Sequence, residues 1–224
     1  MAFVRLAAVT AAAGFLAATV SPTAFAQSND LPAPTGNWMV RLRAVNLTAA
    51  NKSDAVPALA IPDDAIQINN KAFPELDISY FFTPNIATEL ILTYPQQQDV
   101  TVTQSALGGP TKIGSFRHLP PTLTLQYHFT PEKRFKPYVG AGINYTRISN
   151  VDLQVPGVGP LELSKNSFGP ALQVGFDYRL TEHLYFNLDL KKTWISADVK
   201  LAGQTISKVK VDPWLLGIGV GYRF

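Results

Sequence analysis

The stretch Val211-Asp212-Pro213-Trp214-Leu215-Leu216-Gly217-Ile218-Gly219-Val220-Gly221-Tyr222-Arg223-Phe224 decides the fold. Trp214, Leu216, Ile218, Val220, Tyr222 and Phe224 fall on one parity, and Gly217, Gly219, Gly221 and Arg223 on the other. A period of two marks an extended strand, because successive side chains point to opposite faces. A soluble sandwich would have to hide the apolar face. A strand of about ten residues with an unbroken apolar face opposite small or charged side chains is instead the pattern of a membrane-spanning barrel, apolar toward lipid.

Seven earlier stretches repeat the pattern. Trp38, Val40, Leu42 and Ala44 oppose Arg41 and Arg43. Leu76, Ile78, Tyr80 and Phe82 oppose Glu75, Asp77 and Ser79. Ile86, Thr88, Leu90, Leu92 and Tyr94 oppose Ala87, Glu89 and Thr93, and Leu123, Leu125, Tyr127 and Phe129 oppose Thr124, Gln126 and His128. Val139, Ala141, Ile143 and Tyr145 oppose Lys136, Tyr138, Gly140 and Gly142. Leu172, Val174, Phe176 and Tyr178 oppose Gln173, Gly175 and Asp177, and Leu184, Phe186, Leu188 and Leu190 oppose Tyr185, Asn187, Asp189 and Lys191. The expected fold is all-β, an eight-stranded antiparallel transmembrane barrel of outer-membrane type over residues 38–224. A lipocalin-type soluble barrel would reverse the faces, with apolar residues inward and charges outward.

Short turns at residues 83–85, 130–134 and 179–183 alternate with long polar connections at 48–72, 95–117, 147–165 and 196–208. Bacterial barrels keep their short turns on the periplasmic side, so the termini are expected in the periplasm and the long connections outside the cell. Trp38, Tyr80, Phe82, Tyr127, Phe129, Tyr178, Tyr222 and Phe224 then form an aromatic girdle at the periplasmic interface.

At the other end of the chain, Arg5 precedes an apolar run over residues 6–20 and the small-x-small triplet Ala24-Phe25-Ala26. Residues 1–26 therefore read as a secretory leader, and residues 27–37, with two prolines and a glycine, as a flexible lead-in. Beyond Gln27 no stretch approaches the ~18 apolar residues of a spanning helix, so membrane integration rests on strands.

The net charge is +3 with interleaved signs, which gives no nucleic-acid stripe. The chain has no cysteine, which excludes disulfides and thiolate metal sites. His118, His128 and His183 lack ligand spacing. The glycine runs at residues 140–142 and 217–221 open no helix, so no nucleotide cradle is expected. They read as inward gaps for bulky neighbours in a narrow barrel. Some small barrels hydrolyse lipid with a Ser-His pair facing the membrane, but His128 faces inward, so the chain is read as non-enzymatic, without cofactor or metal.

The inward charges carry more. Arg41, Arg43, Lys136, Lys191 and Arg223 offset Glu75, Asp77, Glu89, Asp177 and Asp189, and a buried charge is tolerable only when paired. They are expected to form a self-neutralised polar plug rather than an ion-selective ring, which needs an excess of one sign. Toward the extracellular ends the inward residues become Val45, Leu47, Phe73, Ile91, Ile148, Ile195, Val209 and Val211, an apolar cup. It is either packing beneath the loops or a ligand pocket. Pro120 and Pro121 lack ladder donors and either end a strand or open the wall toward lipid. Lys192 takes the lipid-facing parity, where a charge at mid-membrane costs about 2–4 kcal/mol. It should snorkel at the outer interface or sit at a bulge.

Longer motifs add a resemblance. Pro74-Glu75-Leu76 with Tyr80-Phe81-Phe82, Asn85-Ile86-Ala87 with Glu89-Leu90, and His118-Leu119-Pro120-Pro121-Thr122-Leu123 resemble the OmpW family of small outer-membrane proteins. So do residues 134–146, Asp212-Pro213-Trp214 and Gly221-Tyr222-Arg223-Phe224. The resemblance covers nearly all of the mature chain. It implies a barrel that passes small hydrophobic solutes from an apolar upper pocket sideways through its wall into the outer-membrane lipid. The aromatic end at Phe224 is expected to be read by the barrel-assembly machinery. The rival expectation is an interaction barrel whose loops serve as an adhesin or as a phage or bacteriocin receptor.

Overall fold

The computed structural model describes residues 36–105 and 108–224. The expected leader, residues 1–26, and most of the lead-in lie outside the described residues. The strands are β1 (Trp38–Thr48), β2 (Lys52–Ser53), β3 (Ile66–Ile68), β4 (Lys71–Phe81), β5 (Ile86–Leu92), β6 (Gln96–Val102), β7 (Thr111–Leu119) and β8 (Thr122–His128). They continue with β9 (Phe135–Val155), β10 (Gly159–Leu163), β11 (Asn166–Arg179), β12 (Leu184–Thr193), β13 (Ser196–Leu201), β14 (Gln204–Lys210) and β15 (Trp214–Arg223).

Eight of these close a ring of antiparallel ladders in the order β1, β4, β5, β8, β9, β11, β12, β15 and back to β1. At the seam, Trp38 and Phe224 exchange backbone hydrogen bonds of 3.1 and 2.9 Å. Closure leaves no open edge in the ring, as hydrocarbon requires of any spanning sheet. The tight turns form where the sequence supplies local acceptors. Thr83 Oγ1 accepts from the N–H groups of Asn85 and Ile86, and Asn85 Nδ2 donates to the His128 carbonyl at 2.7 Å.

The expected parity holds along the ring: Leu42 is 57% exposed while its neighbours Arg41 and Arg43 are buried at 0% and 1%. A contiguous exposed belt of Leu42, Leu125, Ile143, Leu172, Leu216 and Ile218 would be untenable in water. Facing lipid, it is the hydrophobic band. Aromatic residues mark both borders, Trp38, Phe82, Tyr127, Phe129, Tyr222 and Phe224 below and Tyr94, Tyr145, Phe168 and Trp214 above. The 11 residues of β1 run from one border to the other, about 25 Å when tilted as barrel strands are. Lys192 lies at the upper border, its Nζ bonded to the Asp212 carbonyl and 5.1 Å above the Trp214 ring. The ladder through Lys191 and Lys192 is unbroken on both sides, which selects the interfacial placement over the bulge.

The long connections are not loops. They form a second storey in the order β3, β6, β7, β9, β10, β13, β14, β2. Its two ends meet through side chains, Ser53 Oγ accepting from the Ile66 N–H and Asn51 Oδ1 from the Ile68 N–H. The 21-residue β9 runs through both storeys.

The inward glycines serve two purposes. Gly140 makes room for side chains, where a Cβ would come within 2.9 Å of Gln173 Oε1 and 3.3 Å of Gln126 Cγ. Gly219, in contrast, lets neighbouring backbone approach, since its Cβ would meet the Leu42 carbonyl oxygen at 2.0 Å. The sequence reading anticipated only the first.

Candidate functional site: an apolar chamber above a charged plug

Strand parity turns the charged side chains of β1, β4, β5, β11 and β12 into one network. Arg41 forks onto Asp177 with Nε–Oδ1 3.0 Å and Nη2–Oδ2 2.7 Å, and its Nη1 reaches Glu89 at 2.9 Å. Arg43 lies among Glu89 at 2.8 Å, Asp77 at 3.1 Å, Asp189 at 3.3 Å and Glu75 at 3.4 Å. Lys191 bridges Glu75 and Asp189. Charge-assisted, bidentate bonds of this kind hold their partners in fixed geometry.

Neutral groups that sequence reasoning did not single out complete the network. Gln126 and Gln173 donate to Glu89 Oε2 at 2.6 and 2.8 Å, Tyr138 Oη donates to Asp189 at 2.8 Å, and Asn187 Nδ2 donates to Asp177 at 2.8 Å. Their inward parity was the available signal. The plug fills the lower barrel.

Two of the ten expected plug residues stand apart. Lys136 is in register with Asp177, but both carboxylate oxygens of Asp177 already bond Arg41, and the Lys136 ammonium lies 5.2 Å from the Tyr185 ring. Arg223 bonds the Gly36 carbonyl and stacks 3.9 Å over Phe81. The ion-paired core thus holds Arg41, Arg43 and Lys191 with Glu75, Asp77, Glu89, Asp177 and Asp189, while Lys136 and Arg223 line the floor below it.

The expected apolar cup divides in the same way. Ile148, Ile195, Val209 and Val211 lie in an upper chamber, walled also by Ile66, Val100, Phe116, Leu153 and Val199 from the second storey. Its unfilled space is about 620 Å³ with the mouth included. Leu47, Phe73 and Ile91 line a separate lower cavity above the plug, beside Glu75, Lys191 and Pro120, with about 390 Å³ of unfilled space when its openings are included. Val45 packs with Leu47, Phe73 and Leu215 and lines neither cavity. His118 and Ile195 border both cavities.

Beside the lower cavity the wall changes character. The β5–β8 ladder reaches Ile91↔Thr122, and pairing resumes on β6–β7 at Gln96↔His118. Residues 92–95 and 119–121 lie in the interval. The β4–β5 ladder likewise ends at Leu76↔Leu92, above which Thr93 Oγ1 donates to the Pro74 carbonyl at 3.1 Å. Pro120 and Pro121 turn their carbonyls to Asn144 Nδ2 at 3.2 and 3.4 Å.

A closed eight-stranded ring with an apolar outer band, an ion-paired polar interior and a second storey of strands defines a small outer-membrane barrel. The chain belongs to the OmpW family, whose family model matches residues 34–224. It is 41% identical to the uncharacterized outer-membrane protein y4mB of Sinorhizobium fredii, over 97% of this chain and 93% of that protein. It is 30% identical to outer membrane protein W of Vibrio cholerae, over 84% and 89% respectively. The crystal structure of the outer membrane protein OprG from Pseudomonas aeruginosa superposes with a TM-score of 0.73 at 28% identity, covering 85% of this chain and 97% of that one. The protein is an outer-membrane barrel of the OmpW and OprG type.

Proposed function

We propose that the barrel is a passive channel for small hydrophobic molecules. A solute partitions from outside into the upper chamber, passes His118 and Ile195 into the lower cavity, meets the plug at Glu75 and Lys191, and leaves sideways past Pro120 and Pro121 into the membrane. Burial of apolar surface, worth about 25 cal/mol per Å², drives the first step. A solute that reaches the plug would have to displace paired charges, which costs far more than stepping into lipid.

The observation that carries this reading is an apolar chamber above an ion-paired polar plug, with a break in the wall ladder beside the cavity between them. Uptake of n-octane by cells whose barrel carries Ile148→Arg or Ile91→Arg tests it. Uptake should fall at least about tenfold in each variant, since an uncompensated charge in an apolar site costs more than 1.4 kcal/mol. Unchanged uptake in both folded variants would sink it.

A further inference from the structure

The proposed route passes through two cavities of different chemistry, and what lies between them restricts the solute. The upper chamber is walled by aliphatic side chains and Phe116, with Thr146 and His118 at its base. The lower cavity is lined by Thr93, Thr122, Asn144 and Thr193 as well as by apolar groups. His118, 3% exposed, belongs to both.

Most of this collar is internally bonded. Thr146 Oγ1 donates to Asn144 Oδ1 at 2.6 Å, Asn144 Nδ2 donates to Thr122 Oγ1 at 2.7 Å, and Gln98 Nε2 lies 3.4 Å from His118 Nε2. One side chain of the collar, however, is buried without a hydrogen-bond partner: Thr193, through its Oγ1. Thr193 is 2% exposed and lines the lower cavity. An unmet buried polar atom is costly, so this hydroxyl marks unused hydrogen-bonding capacity at the cavity wall. A hydroxyl both donates and accepts, so it is matched by a second hydroxyl.

Resting on the uptake reading above, we propose that this collar is a hydrogen-bonding subsite for the head of an amphiphilic solute. The class is an uncharged, unbranched alcohol whose hydroxyl sits near Thr193 and His118 and whose tail lies in the upper chamber. Charged heads are disfavoured, because Glu75 and Lys191, which line the same cavity, already pair with each other and leave no free counter-ion there.

The test uses the full barrel in lipid nanodiscs, with methyl resonances of isoleucine, leucine and valine followed while 1-octanol or n-octane is added. Thr193→Val, which keeps the shape and removes the hydroxyl, should weaken octanol binding about fivefold to tenfold and leave octane within about twofold. Thr193→Ser should restore octanol binding, and His118→Leu should weaken octanol binding as the valine does. Equal weakening of both solutes in Thr193→Val, or unchanged octanol binding in Thr193→Val and His118→Leu, overturns the subsite and leaves water as the occupant. Chamber methyls that respond to octane but do not distinguish the variants overturn the subsite alone. Chamber methyls that respond to neither solute overturn the uptake reading with it.

Discussion

Below Tyr145, strand β9 turns Lys136, Tyr138 and Asn144 inward and Val139, Ile143 and Tyr145 outward. Above it the same strand turns Ile148, Leu153 and Val155 inward and leaves Arg147, Asp152 and Gln154 exposed. The two storeys are therefore inside-out versions of each other. In the lower one lipid takes the apolar face, and the interior can hold charge because ion pairs and amides satisfy it. In the upper one water surrounds the wall, so the apolar face turns inward and the ordinary hydrophobic effect applies. A change of solvent along a strand thus sets a filled polar core beneath a hollow apolar one.

The contrast can be broken most forcefully in the lower storey. Arg43→Met removes the cation shared by Glu75, Asp77, Glu89 and Asp189 and leaves Asp77 buried without an ion-pair partner, and should lower unfolding free energy by about 3–5 kcal/mol in urea titrations of the lipid-reconstituted barrel. A loss below about 1 kcal/mol would mean that the network is not the lower core. Gly175→Val crowds Tyr138 and the Leu188 carbonyl and should cost about 3 kcal/mol by overpacking, read from the same titration. Ile148→Ala in the upper chamber should cost about 2 kcal/mol, the low end for such truncations, because the removed atoms border space that is already empty. A larger loss there than in Gly175→Val would show the upper storey to be the tighter core.

The smallest effect belongs to the exposed Lys52–Asp64 pair at 2.7 Å on the second storey. The hydrogen bond from Lys52 holds the Asp64 carboxyl below its usual range. Its contribution is therefore present above about pH 4 and lost as pH falls through the lowered value. Solvent screening makes it slight, and thermal scans of Lys52→Ala at pH 7 should overlay the unmodified protein.

Legibility followed the same division. The ion-paired plug could be read from parity alone, because eight barrel strands keep one register and each inward charge has a barrel's width in which to find a partner. Lys136 and Arg223 could not be assigned, since Asp177 faces both Lys136 and Arg41 and the fork geometry of arginine takes both its oxygens. The cup could be read only in part. Ile66, Ile68, Val100 and Ile113 lie in stretches read as polar connections, although each alternates with polar neighbours. In β9 the parity reverses between Ile148 and Leu153, where Asn150 adopts a φ of 48° and the β7 ladder shifts register around Phe116. A period-two reading fails at such a bulge.

By itself the sequence determined that the chain closes an eight-stranded barrel, which side of each strand meets lipid, and that charge fills the lower interior. These follow from local alternation, and alternation is written residue by residue. Only the tertiary structure decided that the long connections stack into a second storey, that the cup is split between two cavities both bordered by His118 and Ile195, and where the wall ladder lapses. Those features depend on which distant strands pair and where their registers slip, and pairing across tens of residues leaves no periodic trace in the chain.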